Sequence, residues 1–455
     1  MPIFEWRSVM PASADEVFAY HARPGAFRRL APPWQKLRVL EETGDVTGGR
    51  VAFDVWFGPL KRHWLAEMGS AMPGRQFVDR QLEGPFASWE HTHRFVPDGD
   101  DRSELLDHVE YSLPAGGLTD FFGEGPAGKT LSRLFRFRHE RTRLDLERHA
   151  VWGERPALTV AIAGASGLIG AHLADYLTTA GHRVVRLVRR ADAGPDEIPW
   201  DPATGALHAA ALEGVDAIVN LAGVTIAGVW TPNRRKAILE SRVRATQTLA
   251  EAIDRMDAPP PVLVSASAVG AYGSRGGEVV TEQTELGSGF LADVCRAWEA
   301  AAAPARAAGI RVVTTRFGIV VSASGGAVAS MLPAFKAGLG TRLGSGEQYW
   351  SWVSLDDLLA AIEWALHDAE LEGVVNVTAP EPVTNREFTK TLGHVLRRPA
   401  ALAAPGFVLR RGTAGMGEEM FLASQRAFPE RLKERGFRFS FPELEEALRY
   451  ELGRG

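Results

Sequence analysis

Apolar positions change rhythm twice along this chain. In residues 1–150, Val51, Phe53, Val55 and Phe57 alternate with other residues as half-buried strands do, and similar alternation runs through Trp89–Phe95 and Leu105–Leu113. Ser13-Ala14-Asp15-Glu16 reads as a capping box that opens a helix with Val17 and Phe18. A Gly- and Pro-rich loop, Pro114–Gly128, then precedes Leu131, Leu134 and Phe135, which begin a long amphipathic helix ending near Arg148. After a short joint, Val151–Pro156, the rhythm becomes an alternation of strand-like and helix-like segments over residues 157–400. Val160–Ala163, Val184–Val188, Ala217–Leu221, Val262–Ser265 and Val312–Thr315 are short and mostly apolar, as strands covered on both faces are. In the remaining tail, 401–455, Ser440-Phe441-Pro442-Glu443 is expected to cap a last helix with Leu444, Ala447 and Leu448 on one face.

These patterns predict three domains: an α+β domain over 1–150, an α/β doubly wound parallel sheet of Rossmann type over 157–400, and a small, mainly helical tail over 401–455. Composition sharpens this little. With 45% apolar and 24% charged residues and a net charge of −5, the chain reads as globular and lacks a basic footprint for nucleic acid. The arginines of Arg133–Arg148 alternate with apolar residues as a solvated helix face does. The single cysteine, Cys295, excludes an internal disulfide and a cysteine metal cage. No apolar run approaches the roughly 18 residues a membrane span needs. The N-terminus MPIFEWRSVM lacks a secretory profile, so a cytoplasmic protein is expected.

The candidate chemistry begins at TVAIAGASGLIGAHLADYL. Gly164, Ala165, Ser166, Gly167, Leu168, Ile169 and Gly170 lie between an apolar strand and an amphipathic helix. Gly164 permits the tight turn, Gly167 lets backbone approach a pyrophosphate, and Gly170 lets helix and strand pack closely. The helix N-terminus offers free amides and a positive dipole end. About 20 residues on, NAD-binding chains carry an acidic residue for the ribose 2′-hydroxyl. Here Val188 is followed by Arg189 and Arg190, guanidinium groups suited to a 2′-phosphate, which points to NADP. Trp200 and Asp201 end the third strand, where an adenine pocket is expected, and Leu221, Ala222 and Gly223 end the fourth, beside the cofactor.

The order GASGLIG, NLAG, SASAVGAYG is similar to the extended short-chain dehydrogenase/reductase superfamily, which includes the NAD-dependent epimerase/dehydratases. WTPNRRKAILESR from Trp230, FLADVCRAWEAAA, GSGEQYWSWV and SQRAFPERL resemble a narrower "epimerase family", labelled elsewhere as nucleoside-diphosphate-sugar epimerase or cell-division inhibitor. The order of elements in 1–150 resembles the START-like helix-grip fold of polyketide cyclases and lipid-transfer proteins, which implies a cavity for an apolar ligand. The superfamily resemblance implies a Ser and a Tyr-x-x-x-Lys pair for proton transfer. Ser267 takes the Ser position, but with Glu299 as anchor the pair falls on Leu291 and Cys295. Tyr272 is the nearby phenol and the candidate proton donor, while Arg316 follows the sixth strand, where backbone meets the nicotinamide amide in the relatives. Arg242 stands where they carry a helix Asn, and Trp350 where sugar-nucleotide enzymes carry a phosphate-binding Arg, which suggests a more apolar substrate.

His91 and His93 share one strand face and His108 lies on a nearby strand. No carboxylate spacing supports a zinc site among them, and none is expected. The functional expectation is an NADP(H)-dependent oxidoreductase or epimerase-like enzyme acting on a small, rather apolar carbonyl or hydroxyl compound. The alternatives are an NADP-binding sensor or scaffold without catalysis, and a lipid or apolar-ligand binder acting through the N-terminal domain.

Overall fold

The computed structural model describes residues 2–113, 126–153, 155–411 and 413–454, so most of the expected loop Pro114–Gly128 lies outside the described residues. The chain divides into two compact units, residues 1–156 with 175–182, and residues 157–174 with 183–454.

In the first unit seven strands form one antiparallel sheet, with Ile3–Met10 closing against Ser103–Ser112 at one edge and Leu37–Thr43 at the other. Val51, Phe53 and Val55 are buried as their alternation requires. Phe57 breaks the pattern and is exposed, because its strand ends there in a turn at Gly58, where φ is +61°. The helix Pro126–Ala150 lies against this sheet, and Phe135 meets Phe4 with ring centroids 5.3 Å apart. Across the sheet, Phe53, Trp64 and Trp89 touch in series at 5.5 and 5.4 Å. Burial of each large side chain contributes about 1.5–3 kcal/mol.

The expected capping box at Ser13 forms by half. Ser13 Oγ accepts from Glu16 N at 3.2 Å, but the Glu16 carboxylate faces Arg23 at 2.8 Å. A guanidinium outbids a neutral amide for a carboxylate because the hydrogen bond is charge-assisted.

In the second unit a parallel sheet runs in the order Glu197–Pro199, Arg183–Val188, Thr159–Ala163, Ala217–Asn220, Val262–Ala268, Arg311–Phe317, Gly373–Val377. The five central strands are those the apolar runs predict, and their residues are almost wholly buried. Strand order reverses between Thr159–Ala163 and Ala217–Asn220, and the crevice at such a switch point is where ligands of open α/β sheets bind.

The tail joins this unit. Leu402–Ala404 pairs with Thr341–Leu343, and Arg426–Ala427 with Val279–Val280. The last helix, Leu444–Leu452, buries Leu444, Ala447 and Leu448. It starts at Glu443 without a side-chain cap, contrary to the reading of Ser440 as a cap. The amides of Ser440 and Phe441 instead donate to the Asp357 carboxylate at 2.8 and 3.1 Å, so Asp357 is structural, as its place at a helix start suggests. Among the described residues no helix is long and apolar enough to cross a membrane.

Candidate functional site

The glycine loop has the shape its sequence demands. Gly164 adopts φ +83°, and a Cβ there would stand 2.8 Å from the carbonyl of Leu221. At Gly170 a Cβ would stand 2.3 Å from Gly164 O and 2.8 Å from Ala165 Cα. These two glycines are therefore fixed by backbone meeting backbone. Gly167 differs, since its Cβ would meet only Gly164 O at 3.3 Å and the residue is exposed. Ser166 is exposed, Ala165 is buried, and the helix Leu168–Thr179 begins directly behind them with Leu168 and Ile169 half-buried. Leu221, Ala222 and Gly223 leave the next strand alongside. Leu221 N donates to Ala163 O at 2.9 Å, and Asn220 Oδ1 accepts from Ala222 N at 3.2 Å, which turns the chain past the loop. The N-terminus of the helix Leu168–Thr179 thus lies behind a tight glycine turn, an arrangement whose backbone amides suit an anion.

Arg189 and Arg190 both project from the end of Arg183–Val188 into solvent. Arg190 is held by Glu197, whereas Arg189 is free of ion pairs among the described residues. Trp200 and Asp201 do not present side chains to an adenine pocket. Trp200 is buried in the cluster with Leu187, Ile198 and Leu249, and Asp201 accepts from Ala203 N at 2.9 Å and Thr204 Oγ1 at 3.0 Å in a local turn. Burying an indole among apolar side chains is worth more than an exposed stacking contact, and the Asx turn uses up the carboxylate.

Ser267, at the end of Val262–Ala268, donates to Glu299 Oε1 at 2.6 Å. Arg316 grips the same carboxylate through Nε and Nη2, both at 2.8 Å. Arg316 lies within the strand Arg311–Phe317 rather than after it, is paired on both sides and has a side chain only 4% exposed, so it does not face a cofactor. Tyr272 does not open onto the cleft. It is fully buried, its hydroxyl donates to Asn376 Oδ1 at 2.8 Å, and Arg316 lies over its ring at 4.8 Å. Burial raises its phenol above the usual range, and the turn Val269–Tyr272 folds the ring back under the sheet end.

Leu291 and Cys295, in the helix Phe290–Ala300, occupy the positions of the missing pair. Leu291 lies against Gly270, and Cys295 Sγ points to Ala268 O at 3.7 Å. Desolvation pushes the Cys295 thiol up to about 11. At pH 8 the native protein should therefore react with a disulfide reagent about 100-fold or more slowly than the unfolded chain, because the thiolate is the nucleophile. Equal rates before and after unfolding would contradict this burial. Arg242 stacks on Trp298 at 5.1 Å and donates to Val224 O at 3.0 Å, a support for the loop after Gly223.

Two features escaped sequence reasoning. Glu299, a mere anchor within the helix in the sequence, accepts the hydrogen bond of Ser267. Glu419, from the tail, caps the helix Phe290–Ala300 by accepting from the amides of Phe290 and Leu291 at 3.0 and 2.7 Å. Beside it Val224, Ile226, Phe290, Leu291, Met416 and Met420, all partly buried, pack around the buried Trp230. Trp350 contributes nothing to this cluster. It is buried against Phe388 at 5.3 Å.

His108 parts company with the other strand histidines and pairs with Glu5 and Glu110. His91 and His93 face inward with Asp79 and Asp107.

Comparison with known proteins agrees with this geometry. Residues 160–378 match the NAD dependent epimerase/dehydratase family, 10–135 the polyketide cyclase/dehydrase and lipid transport family, and 404–451 a domain of unknown function. An epimerase family protein of Mycobacterium bovis, Mb2239, is 44% identical over 292 residues, 64% of this chain and 96% of that protein. The crystal structure of a nucleoside-diphosphate sugar epimerase from Corynebacterium glutamicum, 33% identical, superposes with a TM-score of 0.81 over 99% of this chain and 90% of its own. Human epimerase family protein SDR39U1, solved with NADPH, is 34% identical with a TM-score of 0.60 over 65% of this chain and 99% of its own. The chain thus belongs to the NAD-dependent epimerase/dehydratase family, among the SDR39U1-like epimerase family proteins, and carries a START-like polyketide-cyclase domain ahead of that fold.

Proposed function

We propose that the chain binds NADPH on the glycine cradle and exchanges hydride with a small, rather apolar hydroxyl or carbonyl compound, as an oxidoreductase or epimerase-like enzyme. The observation that carries the cofactor choice is Arg189, exposed and unpaired beside the glycine loop, after Val188 and with no acidic residue at the strand end. The presence of NADPH in the human relative supports the same choice. The partly buried apolar cluster of Val224, Phe290, Leu291 and Met420 supports an apolar substrate, and no guanidinium stands at position 350 to hold a nucleotide diphosphate. Bound NADP(H) supplies or accepts the hydride. Ser267 supplies the proton route of this reading, although it is 2% exposed and substrate must reach it by local opening: a substrate hydroxyl donates to Ser267 Oγ while Ser267 passes its own proton toward Glu299, which Arg316 holds in place. The aromatic rings lining the N-terminal sheet suit the holding of an apolar compound there.

A second reading, a cofactor-binding sensor, is favoured by one observation: Leu291 and Cys295 replace the Tyr/Lys pair while Tyr272 is sealed in the interior. Fluorescence titration with NADPH and NADH, followed by NADPH oxidation across a panel of aldehydes and ketones, separates the two. Arg189→Glu should weaken NADPH about 10- to 100-fold and leave NADH nearly unchanged, since hydrogen bonds to charged groups contribute about 1.5–3 kcal/mol. Tighter binding of NADH than NADPH by the wild type would refute the cofactor assignment. Turnover abolished by Ser267→Ala supports the enzyme. Tight NADPH binding without turnover decides for the sensor.

A further inference from the structure

The register of the N-terminal sheet gathers ionisable side chains that the linear sequence holds apart. Asp79 pairs across strands with His91, and His93 with Asp107. All four side chains point to the inner face, where the two imidazole rings lie 3.8 Å apart. His91 Nδ1 is 2.9 Å and His93 Nε2 3.2 Å from the same oxygen, Asp79 Oδ2. On the far side of the rings, His91 Nε2 donates to Asp107 Oδ1 at 3.0 Å. His93 Nδ1 lies 2.8 Å from that oxygen, yet it is buried without a hydrogen bond of proper direction. His139, from the long helix, holds the other oxygen of Asp107 at 2.7 Å.

We propose that Asp79, His91 and His93 form a binding site for one divalent cation of the zinc class. Three atoms converge, Asp79 Oδ2, His91 Nδ1 and His93 Nε2, all within 4.8 Å of one another. Ligand atoms at the usual zinc distances of about 2.0–2.1 Å in a tetrahedron stand roughly 3.3 Å apart, close to the 2.9 and 3.2 Å edges found here. Asp107 occupies the place of the outer carboxylate that orients metal-bound histidines. Without an ion, His91 Nδ1 donates to Asp79 Oδ2; a cation would replace that proton, the His91 proton on Nε2 staying toward Asp107.

Arg138, half-buried, interacts with Asp79 and Asp107, so the group carries one negative charge; a divalent cation takes it to one positive charge, which a hydroxide in the fourth position would balance. Two imidazoles and a carboxylate favour zinc or its neighbours over magnesium or calcium, which take oxygen ligands. Three protein ligands leave a fourth position open, as in sites where the metal meets water or a ligand. The Asp79 side chain is 18% exposed, which gives the ion a way in.

The test uses the full-length chain without a polyhistidine tag. Elemental analysis after purification in zinc-supplemented medium should find about one zinc per chain. Cobalt(II) added to chelator-treated protein should give the visible bands of a tetrahedral site. Asp79→Asn, which keeps the volume, should weaken zinc at least about 10-fold, while His108→Gln should not. Circular dichroism and NADPH titration of Asp79→Asn confirm that both units remain folded. Folded wild-type protein that holds no zinc, gives no cobalt bands and shows the same Tm with and without chelator would overturn the proposal, leaving a proton-held ionic core. Zinc retained equally by Asp79→Asn would place the metal elsewhere and overturn it as well.

Discussion

Gly170→Ala should weaken NADPH at least about 10-fold and lower the stability of the parallel-sheet unit, because overpacking against fixed backbone costs about 1–3 kcal/mol. The added methyl would stand 2.3 Å from Gly164 O and 2.8 Å from Ala165 Cα, and neither atom belongs to a side chain that can swing away. The turn itself must open, which spoils the amides that face the phosphates. Gly167→Ala provides the contrast. Its methyl meets only one carbonyl, at 3.3 Å, and projects where the pyrophosphate should lie. It should keep the melting temperature and still lose NADPH. Titration and thermal unfolding of both variants check this pair, and the cradle assignment fails if Gly170→Ala binds NADPH like the wild type.

Removing Glu299 should have the other large effect. The Glu299 and Arg316 side chains are 12% and 4% exposed and share two hydrogen bonds of 2.8 Å. Glu299→Ala leaves the guanidinium buried with only the Tyr272 ring beside it, and breaking such a pair from one side costs about 3–5 kcal/mol. That is a large part of the roughly 5–15 kcal/mol that holds an ordinary domain together. Denaturant unfolding, followed on the transition that NADPH shifts, should show the loss. Glu299→Leu combined with Arg316→Met should recover much of it, since the double change removes both charges. An unchanged midpoint in Glu299→Ala would mean that the pair contributes nothing. Ser267 loses its acceptor in the same variant, so any turnover should fall further than stability alone explains.

Legibility followed the range of the interactions involved. The central strands of the parallel sheet were readable because a strand covered on both faces is mostly apolar, a demand met within five or six consecutive residues. The glycine loop was readable because each glycine answers a backbone constraint within its own turn or with the adjoining strand. Arg189 was readable because a strand end projects its next residues into solvent whatever the rest of the fold does. The small errors were local contests. Glu16 turned to Arg23 instead of its own helix start, and Asp357 drew the Ser440 amide away from the cap expected of that serine.

The misplacements of function arose at long range. Nothing within a few residues of Tyr272 announces that Asn376 will accept its hydrogen bond, or that Arg316 will cover its ring. Trp200 and Trp350 look like site residues by position, and burial makes them core. His91, His93 and His108 look equivalent along two strands, but pleating sends the third to the opposite face. The same register delivers Asp79 and Asp107, which no spacing in the sequence connects to the first two. Amino-acid order alone determined the glycine turn, the two arginines that follow Val188 at a strand end and the absence of the usual Tyr/Lys pair, since each depends on residues adjacent in the chain. Tertiary pairing decided which polar groups meet and which are sealed away, because a proton route through Ser267 and Glu299 or a cation site at Asp79 exists only where separate strands and helices bring their side chains within about 3 Å.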